Sequence, residues 1–381
     1  MRPVTILLAG EFYSENLGDP LLCRTVESIL KERWPQATIV PFDLTGRTGP
    51  GSFFEAAPGK WSEILLKKAS DRFLYYRRAA VLRFLAEDKA RHQRVWYALK
   101  ELRRQYRFDM VVFAGGSLFM DYFAGIIYEM VRAFAFSQTK IVFHACGMST
   151  LSQDGEYLLA RALRDRHVVS ISLRDSYDRF VSLFPVRGKT IETFDTALGC
   201  SLSYAPTEKK RAEFGLGLID RREDLQIPLI RALLRSGKSW MAFTNGSPYD
   251  QEYGKKLLLQ AGIPEEELAQ YLLPRPTTVE TLVAYVTGFE KLVAFRMHSQ
   301  IVAASFGVPS FGFGWDDKIG AFYEKLGFPQ GCTGESMDLG SIEEILSQYG
   351  ELRPRALEQG RQSRECLIGV LEKHLGRRGR G

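Results

Sequence analysis

The chain has 381 residues, with 45% hydrophobic and 25% charged residues, proportions that suit a soluble globular protein of about two domains. Fifty-one Lys and Arg against 45 Asp and Glu give a net charge of +6, too modest to indicate a nucleic-acid binder, and no recognised nucleic-acid module accompanies it. The positive charge is concentrated: residues 60–107 hold 14 Lys and Arg against 5 Asp and Glu, so the remainder is slightly acidic.

Five scattered cysteines, none in a Cys-x-x-Cys pair, read as buried thiols in a reducing compartment and not as a disulfide framework or zinc site. The apolar run at the start is too short for a signal sequence. No run approaches the roughly 18 apolar residues of a membrane span. A cytoplasmic protein is expected, with contact at the inner face of the plasma membrane left open.

In chain order, strand Val4–Ala9 leads through the loop Glu11–Asp19 to a helix over Pro20–Arg33, with Asp19 as N-cap and Pro20 in the first helical position. A strand over Ala37–Phe42 follows, then a Gly/Thr/Pro-rich loop over Asp43–Gly59. Helical patterns over Trp61–Ala86 and Lys89–Tyr106 form a basic, aromatic insertion within 51–106. Strand Asp109–Ala114 ends in Gly115-Gly116-Ser117, whose glycines let backbone N–H groups approach a ligand closely. Strands Lys140–Ala145 and Val168–Leu173 alternate with helices, and Arg174-Asp175 closes the latter strand.

A second half begins near Pro206, with strands Phe214–Leu218 and Ser239–Thr244 and a Thr244-Asn245-Gly246 loop. The stretch Lys291–Phe328 reads as strand, helix, strand, helix. Period-two alternation puts Leu292, Ala294, Arg296 and His298 on one strand face, ahead of a helix over Ser299–Phe306. Gly307-Val308-Pro309 then leads to strand Ser310–Phe313, and Lys318 opens the next helix.

Alternating strands and helices predict two Rossmann-like, doubly wound α/β domains facing a cleft. The expected boundaries are 1–205, 206–350, and a terminal helix with a basic tail over 351–381. In open parallel sheets the strand-to-helix loops share one edge, where ligands bind. Arg174, Arg296, Lys318 and His298 should therefore form a cluster of positive charge suited to a small, multiply charged anion. No metal-ligand cluster, HExxH motif or hydrolase triad is apparent, so no metal or cofactor is expected.

Asn16-Leu17-Gly18-Asp19, Gly115-Gly116-Ser117, Leu173-Arg174-Asp175, Arg296-Met297-His298, Gly307-Val308-Pro309 and Asp317-Lys318 together resemble the polysaccharide pyruvyl transferase family over most of the chain. The resemblance implies a glycosyltransferase-B-like fold and metal-independent transfer of the enolpyruvyl unit of phosphoenolpyruvate to a sugar. It implies His298, Arg296, Lys318 and Asp19 as catalytic residues. Arg174, Arg296, Lys318, Thr244 and Asn245 are expected to hold the donor, and Asn16, Gly18, Gly115, Gly116 and Ser117 the acceptor. Met297 and Ser299-Gln300 depart from the usual motif, which has Leu before the His and a small apolar residue after it.

The basic, aromatic segment 60–107 suggests contact with an anionic membrane surface, where a lipid-linked sugar acceptor would be found. Two alternatives accompany this reading: a glycosyltransferase of the same fold using a nucleotide sugar, and a glycan- or anion-binding protein without turnover.

Overall fold

A computed structural model of the chain describes residues 3–54, 89–186, 188–315 and 317–376. The helix expected over Trp61–Ala86 and the basic tail after Gly376 lie outside them. The chain divides into two compact units: Met1–Tyr13, Ile29–Thr193 and Cys366–Gly381 form one, and Ser14–Ser28 with Phe194–Glu365 form the other.

The first unit contains β1 (Thr5–Gly10), the later turns of α1 (Gly18–Arg33), β2 (Thr38–Asp43) and a short hairpin, β3 (Arg47–Gly49) with β4 (Ser52–Phe53). It continues through α2 (Lys89–Gln105), β5 (Met110–Ala114), α3 (Asp121–Phe134), β6 (Lys140–Cys146), α4 (Gln153–Leu163), β7 (Val168–Leu173), α5 (Tyr177–Leu183) and β8 (Thr190–Glu192). Six strands pair in parallel in the order β2-β1-β5-β6-β7-β8. The central strands are apolar on both faces, as a sheet covered by helices on each side requires. On one face Leu7, Val111, Phe113 and Phe143 pack with Phe123 and Ile127 of α3 and Leu158 of α4. The Phe113 and Phe143 rings stack with centroids 4.4 Å apart.

The second unit contains the early turns of α1, β9 (Ala212–Gly217), α6 (Glu223–Arg235), β10 (Trp240–Phe243), α7 (Pro248–Ala261) and α8 (Leu268–Tyr271). After these come α9 (Val279–Thr287), β11 (Phe289–Ala294), α10 (Met297–Phe306), β12 (Ser310–Phe313), α11 (Asp317–Lys325), β13 (Cys332–Thr333), α12 (Leu339–Ser347) and the start of α13 (Leu352–Leu375). Its five parallel strands run β10-β9-β11-β12-β13. Strand alternation divides its core in two: Leu292 and Ala294 of β11 face one cluster, Val293 the other. Gly312 sits on the α10 side, where an added Cβ would overlap Gln300 and crowd Ile319. The bare backbone lets α10 settle onto the sheet, and Ser299 to Ser305 are all buried.

Three sequence expectations shift. Residues 14–28 and 194–205, expected with the N-terminal domain, cluster with the second unit. The reason is packing: Leu17, Leu21, Leu22, Ala197 and Leu198 share a core with Ile301 and Val302 of α10. Strand β11 stops at Ala294, and Arg296 is the extended N-cap of α10, with φ −110° and ψ 129°. Arg296 and His298 thus belong to a cap and a first helical turn, not to a strand face. Helix α1 begins at Gly18, which places Asp19 inside the first turn instead of at the N-cap.

At the edge of the second sheet where its strands begin, Lys238 and Lys291 each bridge Glu213 and Glu343 at 2.9–3.2 Å. Hydrogen bonds from Lys238, then Lys291, hold both carboxyls below their ordinary range. A carboxyl with a depressed folded pKa adds stability above its unfolded pKa and loses it as pH falls through the folded value. Melting temperature should therefore fall between about pH 5 and 3. In E213Q/E343Q that fall should be shallower in thermal melts across the range, and an unchanged slope would show that the network contributes nothing.

Candidate functional site

The strands of each unit run parallel, so the loops leaving their C-terminal ends gather at one edge of each sheet. In both sheets the strand order reverses at one point, between β1 and β5 and between β9 and β11, where doubly wound sheets bind ligands.

In the second unit this edge brings together segments far apart in sequence. The Leu17 amide donates to the Asn245 carbonyl at 3.0 Å, joining the loop before α1 to the loop after β10. Gly18 lies directly against the His298 imidazole, where any Cβ on residue 18 would overlap the ring. The first turns of α1 and α10 therefore meet at His298, which is 7% exposed. Helix N-termini carry partial positive charge and unsatisfied N–H groups, an arrangement that favours anions.

Arg296, beside it, is not an independent cation. Its Nη2 donates to the carboxylate of Asp250, which is 2% exposed. Burial pushes the Asp250 carboxyl up, and the Arg296 guanidinium pulls it back. A Cβ on Gly246 would overlap both groups, so the glycine makes room for the pair. Arg296 Nε is buried and has no hydrogen-bond partner among the described residues, and the same holds for Nδ2 of Asn245, which is 1% exposed. Two donors are thus withdrawn from water with no acceptor among the described residues, a condition that costs free energy unless an acceptor is supplied.

Asp19 accepts from Asn16 Nδ2 at 3.0 Å and Ser14 Oγ at 3.2 Å, so its carboxylate braces its own loop. Thr244 is fully buried, and its hydroxyl donates to Gln251 Oε1 at 2.8 Å, so its hydrogen bond goes to the first turn of α7. Lys318 is half-buried in the first turn of α11, after β12, the strand beside β11.

The expected grouping of donor and acceptor residues is redistributed. Asn16, Gly18 and Asp19 sit with Asn245, Arg296 and His298 in the second unit, whereas Arg174 sits with Gly115, Gly116 and Ser117 in the first. There the Gly147 amide donates to the Gly116 carbonyl at 2.7 Å and the Arg174 amide to the Cys146 carbonyl at 3.1 Å. Arg174 is 5% exposed, and its Nε donates to Asp175 at 3.4 Å. Asp175 in turn accepts from the Met148 amide at 2.9 Å, so this pair is anchored to backbone and is no loose surface contact. Gly115 and Gly116, at φ 55° and 76°, occupy the left-handed region that favours glycine. Ala145 (φ 50°) and Ser176 (φ 53°) at the same edge hold that conformation without being glycine, a strain seen most often at functional sites.

Two residues escaped the sequence reading. Asp250 could have been suspected, because it lies in the first turn after a strand-end loop and Pro248. Arg275, whose Nη1 donates to the Gly246 carbonyl at 3.2 Å, lies between two prolines in a connecting segment with no periodic signal. In the described part of the basic insertion, Arg91 turns inward over the Tyr122 ring at 3.6 Å and Arg94 over Phe53 at 4.6 Å, so these cations pack on aromatic faces. Among the described residues no helix is long and apolar enough to cross a membrane. Among them, too, no group of three or more His, Cys, Asp or Glu is placed to hold a metal ion.

Comparison with solved structures identifies the fold. A UDP-N-acetylglucosamine 2-epimerase aligns over 98% of this chain and 97% of its own, with TM-score 0.57 and 12% identity. The Neisseria meningitidis UDP-GlcNAc 2-epimerase bound to UDP-GlcNAc aligns over 97% and 100%, with TM-score 0.54 and 12% identity. A UDP-glucosyltransferase from Polygonum tinctorium aligns over 97% and 99%, with TM-score 0.52 and 12% identity. At such identity these likenesses establish the glycosyltransferase-B-like α/β fold and nothing of the chemistry. No curated protein sequence matches the chain. The family model described as polysaccharide pyruvyl transferase matches residues 16–317, from the Asn16 loop to the start of α11. The chain belongs to the polysaccharide pyruvyl transferase family.

Proposed function

We propose that the protein transfers the enolpyruvyl group of phosphoenolpyruvate to two hydroxyls of a sugar, forming a pyruvate ketal and releasing phosphate. The acceptor would be a cell-surface polysaccharide or its lipid-linked precursor, modified on the cytoplasmic side of the membrane. Beyond family membership, one observation carries this reading: His298 is held by the Gly18 backbone where two helix N-termini meet, beside an arginine fixed by a buried carboxylate.

The chemistry assigns a task to each group. Phosphoenolpyruvate carries a carboxylate and a phosphate. A proton delivered to its methylene carbon makes C2 electrophilic, and histidine, with a reference pKa near neutrality, suits that delivery. His298 is the proposed acid. One sugar hydroxyl adds to C2 and gives up its proton, which replenishes the acid. The C2–O bond to phosphate then breaks, the second hydroxyl closes the ketal, and its proton leaves with the phosphate.

Lys318 steadies the departing phosphate, where negative charge develops. Arg296 and Asn245 offer N–H groups to the donor's anionic oxygens. Because Asp250 offsets the charge of Arg296, attraction for the anion is assigned to Arg275 and the helix N-termini together with Lys318. Arg174 is assigned to an anionic group of a substrate. Asn16, Gly18, Asp19, Gly115, Gly116 and Ser117 are assigned to the acceptor, with Asp19 orienting a hydroxyl. Thr244 acts only as a support for its loop. No metal or cofactor is required by this scheme. Segment 60–107 is proposed to meet an anionic membrane surface, which co-sedimentation with anionic vesicles at low salt would test.

Phosphate release from phosphoenolpyruvate and an acceptor glycan should fall by about 10²- to 10⁴-fold in His298→Ala. Mass spectrometry of the glycan should show the gain of one pyruvate less one water with the unaltered chain only. Undiminished turnover in both His298→Ala and Arg296→Ala would remove the assignment. Stabilisation by a nucleotide sugar but not by phosphoenolpyruvate in thermal-shift measurements would instead favour a glycosyltransferase.

Gly18→Ala should lose activity nearly as fully as His298→Ala, since its methyl would displace the imidazole, while circular dichroism stays unchanged. Full activity in Gly18→Ala would mean that the position of His298 is not critical. Asp250→Ala should lower stability by roughly 2 kcal/mol, less than the usual loss for a broken buried pair because Arg296 keeps partial contact with water. Denaturant titration would measure that change.

A further inference from the structure

We propose that a recess at the opposite edge of the first unit's sheet, where its strands begin, is a binding site for a phosphate-bearing ligand. This edge lies away from Gly115 and Arg174. The inference uses none of the residues assigned to the chemistry of pyruvyl transfer, but Arg103, Tyr106 and Arg107 belong to the segment proposed above to meet a membrane surface.

The recess encloses about 710 Å³, within the size range of small-molecule sites. Val4 precedes β1, Asp109 precedes β5 and Lys140 opens β6, which places it at the strands' N-terminal ends. Five basic groups line it, drawn from three distant parts of the chain: Arg103 and Arg107 in and after α2, Lys140, and Lys373 and His374 at the end of α13. Asp109 is the single carboxylate of the lining, and its Oδ2 already accepts from the Thr5 amide at 3.0 Å.

A bland explanation is that these cations offset helix dipoles, because α2, α3 and α13 all end here. Three helix C-termini supply only about half a negative charge each. Even without counting Arg107, the cations Arg103, Lys140 and Lys373 exceed that with Asp109 included. Burial, and then Lys373 and Lys140, hold the His374 imidazole below the ordinary histidine value. An anion would relieve this repulsion. Tyr106, exposed on the wall, and Phe134, with the Arg103 guanidinium 5.3 Å from its ring centroid, add an apolar side to the recess. A phosphate or diphosphate attached to a ring or chain has the matching chemistry, and arginine and lysine together suit its oxygens.

Inorganic pyrophosphate serves as the probe, titrated calorimetrically into the full chain carrying Arg296→Ala, so that the other candidate anion site is weakened. One site should remain. Adding Lys140→Ala and Lys373→Ala should weaken binding about tenfold or more. Adding Lys209→Ala and Lys210→Ala, which removes the same charge from an exposed stretch of the second unit, should leave it unchanged. If the alanine pair fails to fold, Lys140→Gln with Lys373→Gln takes its place.

No binding, binding unaffected by the Lys140 and Lys373 changes, or equal weakening by both pairs would overturn the proposal. Flotation with phosphatidylglycerol vesicles separates the two sources of phosphate. Flotation that pyrophosphate reverses and that the Lys140 and Lys373 changes abolish identifies a lipid headgroup. Pyrophosphate binding without flotation identifies a soluble phosphate compound.

Discussion

Asp250 and Arg296 form a partly desolvated ion pair, and the edge of the second sheet is arranged around it. Desolvating two charges is costly unless geometry and hydrogen bonding compensate, so such a pair is weak evidence of stability and better evidence of a position that must be fixed. The position fixed here is that of the N-cap of α10. With Arg296 tied to α7, the first turn of α10 is set, and His298 two residues later is set with it. Gly246 leaves space for the pair and Gly18 leaves space for the imidazole. Two missing side chains thus leave room for Arg296 and His298 to be held in place.

The same pair changes the electrostatics that composition suggests. Counted along the sequence, Arg296 is a free positive charge. In the folded chain it is half of a neutral pair, and its remaining value lies in directed N–H groups. On the function proposed above, attraction for an anion is assigned to Arg275, Lys318 and the aligned peptide dipoles of α1 and α10. Such fixed dipoles need no reorganisation when charge develops during a reaction, which makes them effective where the reacting group is a departing phosphate.

Much of the fold was legible because alternating apolar runs and amphipathic segments leave few options besides parallel sheets. Apart from the short strands β3, β4 and β8, which no apolar run marked, the strands from Thr5–Gly10 to Ser310–Phe313 lie close to where the apolar runs put them. The end of β11 was misread for a definite reason. Arg296 keeps extended backbone as an N-cap, so period-two reading carries on smoothly past Ala294 and meets His298 by coincidence of spacing. The grouping of residues 14–28 was not legible, because it depends on Leu17, Leu21 and Leu22 meeting Ile301 and Val302, nearly three hundred residues away. Asp250 and Arg275 were missed because their importance lies in what they touch, and no local pattern records it.

The trio of Gly246, Asp250 and Arg296 also limits how this enzyme family could diversify. A side chain at position 246, or the loss of either charge, creates a steric overlap or leaves a charge unpaired, so the three positions are coupled and each such step costs stability. Novelty in sugar preference is easier to reach at positions whose side chains answer to solvent alone. Glu15, exposed on the loop before α1, is open to such one-step change. The scaffold therefore separates a centre of mutually dependent residues from a periphery that can be rewritten residue by residue.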